Sequence, residues 1–261
     1  LWTKVFEFPD SSLFAKSVVV SSSGEIYIGG QYTKLNSYPV GDIDAFIKKY
    51  SSAGDEIWTT KFGAPTANDG INSVTMDSSG NIYAAGYTYS DAFLKKYDST
   101  GRELWTRQFG AYGGAEAFSV SMDISGNIYV AGYINNYTRD QVRSDGDDAF
   151  IRKYDSLGNE LWDYQFGTGS RDVAYSVAID RSGSIYVAGS TDGAFPGQQY
   201  PGNTDAFLLK IVQPVIADPT PAPSQVPAPE PLPLPAPETS PSPEQPPATE
   251  PPPSESEPSQ N

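Results

Sequence analysis

A motif repeated four times constrains this chain more than any other feature. Its fullest copy, DSSGNIYAAGYTYSDAFLKKYDSTGRELW, runs from Asp77 to Trp105. The tyrosine of its Ile-Tyr pair recurs at Tyr27, Tyr83, Tyr129 and Tyr186. An Asp-Ala-Phe triplet starts at Asp44, Asp91, Asp148 and Asp205, and a tryptophan marks each unit at Trp2, Trp58, Trp105 and Trp162. Successive copies lie 46 to 57 residues apart, a spacing that signals propeller blades or arrays and not one irregular domain.

Each unit supplies four short strands, a to d. In the second unit they are predicted at Ile71–Met76, Ile82–Thr88, Ala92–Tyr97 and Glu103–Phe109. These segments are rich in Val, Ile, Tyr, Phe and Trp and are bounded by Gly, Asp and Ser, the composition of strands on a pleated surface. No window holds a sustained helical stripe, so the chain is expected to be all-β. The a–b connections end in Gly24, Gly80, Gly126 and Gly183, three residues after a Ser or Asp. That pattern fits a type I turn closed by a left-handed glycine. Calcium is the competing reading of an acidic DxSGN loop, but the further carboxylates and terminal Glu of a calcium loop are missing. The b–c and d–a connections vary in length and share the opposite edge, where binding residues are expected.

The chain opens with a d-type strand, residues 1–8, and its last unit ends on a c-type strand at 206–212. Pairing these two would give four complete four-stranded blades, with residues 1–8 closing the last one. The propeller is thus assigned to residues 1–212, with repeats at about 15–62, 71–109, 117–166 and 173–212 plus residues 1–8. Residues 213–261 are dense in Pro, with Glu, Ser and Ala and no aromatic or basic residue. Such a stretch is expected to be a disordered, extended linker or stalk, with room for a further linked domain beyond it.

Composition narrows the chemistry. The chain has no Cys and no His and a net charge of -15. Residues 1–212 hold 17 basic and 25 acidic side chains, a net charge of -8. This disfavours nucleic acid and anionic lipid as partners. The usual zinc sites, disulfides and His-based catalysis are excluded. No apolar run is long enough for membrane insertion. The chain starts at Leu1 without a visible signal peptide and is read as a fragment or mature form.

The units SVTMDSSGNIYAAGYT, DAFLKKYDSTGRELWTRQFG and SVAIDRSGSIYVAGSTDG resemble the SBBP β-propeller repeat of bacterial and archaeal proteins. The resemblance covers nearly all of residues 1–212 and none of the tail. The first copy departs most, with Ser21 and Ser51 in place of the turn Asp. The resemblance implies a propeller in a secreted or cell-surface protein, set beside linkers and other modules, in rings larger than four blades. It implies no catalytic residues.

Several residue sets could carry function. Asp44, Asp91, Asp148 and Asp205 are weak metal candidates, set against a role in capping the b–c loops. Trp2, Trp58, Trp105 and Trp162 read as inter-blade packing. Tyr38, Tyr89, Tyr112, Tyr137 and Tyr200, with Asp145 and Asp147, fall on the variable loops and form the candidate ligand surface. The expected function is a non-catalytic extracellular scaffold for a protein or glycan, with no cofactor. Two alternatives stand beside it: a carboxylate-based carbohydrate-active enzyme using Asp145, Asp147 and Asp148, and a purely structural spacer.

Overall fold

The structure, a computed structural model, describes residues 1–35, 42–64, 67–89, 91–110, 114–135, 146–199 and 202–212. Among them are fifteen strands and no helix, so none that could cross a membrane. Blade 1 is β1 (Ser11–Val20), β2 (Ile26–Lys34), β3 (Ile43–Tyr50) and β4 (Glu56–Phe62). Blade 2 is β5 (Asp69–Met76), β6 (Ile82–Thr88), β7 (Asp91–Tyr97) and β8 (Glu103–Phe109). Blade 3 is β9 (Ala115–Met122), β10 (Ile128–Asn135), β11 (Asp147–Tyr154) and β12 (Glu160–Phe166). Blade 4 has three strands, β13 (Asp172–Ile179), β14 (Ile185–Thr191) and β15 (Asp205–Ile211). Every sheet is antiparallel with its strands in sequence order.

The period-2 alternation sends neighbouring side chains to opposite faces, and both faces are buried where blades stack. On β7, Phe93 and Tyr97 join a cluster with Tyr27, Ala45 and Ile47 of blade 1. Leu94, one residue along, joins the cluster that blade 2 shares with Val120, Ile128 and Phe150 of blade 3. A third cluster links Tyr129 and Ile151 to Val177 and Val187 of blade 4. The innermost strands pack in series, β1 on β5, β5 on β9 and β9 on β13.

Three local devices repeat with the blade. First, each inner strand bulges at one residue (Lys16, Asn72, Phe118 or Tyr175), so that a glycine of strand b lies against it. Second, the serine after the bulge reaches across the junction. Val74 N–H donates to Ser17 Oγ, Val120 N–H to Ser73 Oγ and Val177 N–H to Ser119 Oγ, at 3.1–3.2 Å. Third, the a–b turn aspartate caps its own loop. Asp77 Oδ1 accepts from the N–H groups of Ser79 and Asn81, and its Oδ2 accepts from Tyr83 Oη at 3.1 Å. Asp123 repeats all three bonds. The glycines ending these turns have φ near +82°, which an L side chain reaches only with strain.

Turn aspartates are expected to make the fold acid-sensitive. Hydroxyl bonds from Thr100 and Ser182, joined by backbone N–H bonds, pull the Asp98 and Asp180 carboxyls down to about 2. A carboxyl with a depressed folded pKa contributes stability above its unfolded value near ~3.9 and loses it as pH falls through the folded value. Thermal midpoints followed by circular dichroism are therefore expected to be insensitive to these groups down to about pH 4, and to drop between about pH 4 and 2. An Asp98→Asn, Asp180→Asn double variant should show a shallower drop, and an unchanged slope would refute the assignment.

The expected closure of blade 4 by residues 1–8 is not formed. No described residue pairs with the outer edge of β15, and no packing comparable to β1 on β5 joins blade 4 back to blade 1. Residues 1–8 instead lie on the face of blade 1. The T-shaped contact of Phe6 with Phe46 and its tilted contact with Tyr50 match those of Phe62 with Phe93 and Tyr97, and of Phe109 with Phe150 and Tyr154. The cation of the next blade also repeats, with Lys48, Lys95 and Arg152 over the rings of Phe6, Phe62 and Phe109. Residues 1–8 thus have the side-chain seating of a d strand without the backbone partner.

Candidate groove between blades 3 and 4

The recurring aspartates are held by their own blades. Asp44 accepts from Tyr32 Oη at 2.9 Å and pairs with Lys34. Asp91 accepts from Gln108 Nε2 at 2.8 Å, and Asp148 from Gln165 Nε2 at 2.6 Å. Asp205 begins β15 opposite Thr191. Among the described residues no three His, Cys, Asp or Glu side chains converge as metal ligands would. The tryptophans sit at the junctions. Trp58 packs edge-on to Tyr27 of its own blade and donates from Nε1 to Ser99 O of the next. Trp105 and Trp162 make the same ring contact with Tyr83 and Tyr129, while Trp2 lies against Gly54.

Of the expected ligand surface, Tyr38, Tyr112, Tyr137, Asp145 and Tyr200 lie outside the described residues. Tyr89 follows directly on β6 of blade 2, is 80% exposed and has a positive φ of 47°. Its N–H donates to Asn68 O. Asp147 belongs to blade 3, where Arg171 Nε donates to it at 3.1 Å. The two belong to different blades, Tyr89 to blade 2 and Asp147 to blade 3.

A departure from the repeat makes a different site. The groove between each d strand and the next c strand holds a cation in the first two junctions. Lys95 lies over Phe62 and pairs with Glu103, and Arg152 lies over Phe109 and pairs with Glu160. At the third junction the corresponding residue is Leu209. The groove there, about 580 Å³, is lined by Tyr164, Phe166, Phe195 and Leu209 with Asp148 and Gln165 at its polar side. Tyr164 stacks on Phe166 at 5.6 Å, and Phe195 packs on Phe207 at 5.4 Å. Tyr164 stands where Thr60 and Arg107 bond the c–d turn of the next blade, and it is half exposed. Sequence reading missed this groove. The available signal was the column Lys48, Lys95, Arg152, Leu209, in which only the last member is apolar.

Four sheets of antiparallel strands, stacked face to face and joined in series, define β-propeller blades. The profile of the SBBP family, described as a Beta-propeller repeat, matches residues 57–93, 104–137 and 162–196. The chain carries SBBP β-propeller repeats. No curated protein is matched. Among solved structures, a protein of unknown function from Dyadobacter fermentans DSM 18053 is similar at 12% identity and TM-score 0.52, covering 77% of this chain and 54% of that one. The Pan2 WD40 domain of Neurospora crassa is similar at 9% identity and TM-score 0.42, covering 75% and 62%. A xylan beta-1,4-xylosidase from Bacillus Halodurans C-125 is similar at 11% identity and TM-score 0.42, covering 77% and 41%. The chain spans about half the length of the first of these. At such identities the likeness concerns fold alone.

Proposed function

We propose that this chain is a non-catalytic β-propeller scaffold that binds a protein or glycan ligand in the groove between blades 3 and 4. The observation that carries the reading is the replacement of the junction cation by Leu209, which leaves an aromatic groove with amide and carboxylate groups at one side. Rings offer stacking area at low entropic cost, and flanking polar groups fix orientation. The engagement of Asp44, Asp91 and Asp148 within their blades favours capping over metal binding or acid–base roles, so the proposed role involves neither calcium nor turnover. It also includes display outside the cytoplasm on the Pro-rich acidic segment, in keeping with the composition of residues 213–261 and the SBBP resemblance.

The test is a glycan and peptide array probed with the whole chain and with Leu209→Lys. Lysine occupies this position in blades 1 and 2, so the variant should fold normally while filling the groove. Retained hits at least about fivefold weaker for Leu209→Lys are expected, since a blocked aromatic subsite removes about 1–3 kcal/mol. Hits that ignore the substitution would sink the groove assignment. Hydrolysis of a bound glycan that an Asp147→Asn, Asp148→Asn variant abolishes would favour the enzyme instead.

A further inference from the structure

The two ends of this stack of blades carry complementary halves of a junction that the chain already builds three times. On the leading side, Val18 is 60% exposed, whereas its counterparts Val74, Val120 and Val177 are 5–6% exposed. On the trailing side, Leu208 is 76% exposed, whereas Ile47, Leu94 and Ile151 are fully buried. Ser176 and Lys210 are exposed as well. Their counterparts cross each internal junction, Ser17, Ser73 and Ser119 as acceptors, Lys49 and Lys96 as donors to Ser99 O and Ser156 O. The outer edge of β15, where blades 1 to 3 hold their d strand, is paired by no described residue. Residues 2–6 are seated on blade 1 as a d strand that lacks its sheet.

We infer that two copies of this chain associate head to tail, blade 1 of one copy docking on the bare face of blade 4 of the other. Residues 2–6 of the docking copy add to β15 as the fourth strand of that blade, a β-augmentation. The internal junctions fix the register. Trp58 lies opposite Lys49 and Phe62 opposite Ala45, so Trp2 faces Lys210 and Phe6 faces Ala206. In this register Trp2 meets Tyr186 as Trp58 meets Tyr27, Ser176 receives the N–H of Val18, and Lys210 reaches Ser52 O. The occupant is a second copy because the three internal junctions supply its template and the exposed residues on both sides repeat that template. The contact is heterologous, so it generates a closed ring or a filament according to the angle between copies. This inference does not rest on the ligand reading.

Sedimentation velocity on the whole chain tests it, with Val18→Asp and Leu208→Asp as variants. Both side chains are exposed, so neither change should alter the thermal midpoint of a single copy. The expected result is a wild-type mass that rises with concentration above one chain, with each variant alone shifting to the mass of one chain. An equimolar mixture of the two variants should give a two-chain species, because each retains one intact face and those faces match. The double variant should neither self-associate nor join the mixture. A wild type that stays at one-chain mass at its highest soluble concentration overturns the inference. So does a mixture that fails to pair, or a one-chain species in which the amides of residues 2–6 are protected from hydrogen exchange.

Discussion

Gly132→Ala is expected to destabilise the propeller by about 3 kcal/mol, near the upper end of overpacking effects. A Cβ at Gly132 would come within 1.9 Å of Glu116 O and 2.9 Å of the Phe150 ring. The first contact is with backbone, and that backbone is fixed on both sides. Glu116 lies beside the bulge at Phe118, and Ser119 accepts from blade 4. The strand cannot retreat without breaking a junction. Chemical denaturation of the variant, followed by tryptophan fluorescence, measures the change. A loss below about 1 kcal/mol would show that the bulge relaxes more freely than the junction bonds imply.

Leu94→Ala should cost about 3 kcal/mol, whereas Leu208→Ala should cost under about 0.5 kcal/mol in a single copy. The two leucines hold the same place in the repeat. Leu94 is fully buried between blades 2 and 3, and Leu208 faces outward from blade 4. Removing three buried carbons forfeits transfer energy and leaves a cavity among Val120, Ile128 and Phe150. Removing the same carbons at Leu208 forfeits little, unless a second copy covers it. The Leu208→Ala difference should then grow with protein concentration. Equal costs at both sites in dilute solution would contradict the exposure of the blade 4 face.

The strands, their order and their turns were legible because they are written four times. The Asp of DxSG and its glycine are set by one loop's own hydrogen bonds, so local sequence suffices. Residues 1–8 show the limit of that legibility. A d strand is specified twice, by side chains that grip the next blade and by backbone that pairs with its own. Trp2 and Phe6 encode the first relation and nothing encodes the second. The sequence therefore suggested a d strand at residues 1–8, where the structure shows the ring contacts of one but no strand. The groove at Leu209 was hidden for another reason: a leucine in a strand is unremarkable until it is set against Lys48, Lys95 and Arg152. Phe195 lies in the b–c connection of blade 4, and these connections differ in length from blade to blade, so no column exists to compare it with.

The seating of each d strand on the following blade has a consequence for how such chains can be cut and rejoined. The portion that keeps its own interior intact does not run from a to d. It starts at a d strand and ends at the next c strand, and the matched segments likewise start within d strands, at residues 57, 104 and 162. A splice made in the c–d turn, between Tyr50 and Glu56 or between Tyr97 and Glu103, keeps Phe62 with Phe93 and Lys95, and Phe109 with Phe150 and Arg152, although it parts Tyr27 from Trp58 or Tyr83 from Trp105. A splice in the d–a connection separates Phe62 from Phe93. Exchange, duplication or circular permutation of these repeats should accordingly be tolerated at the c–d turns and resisted at the visible gaps between sheets.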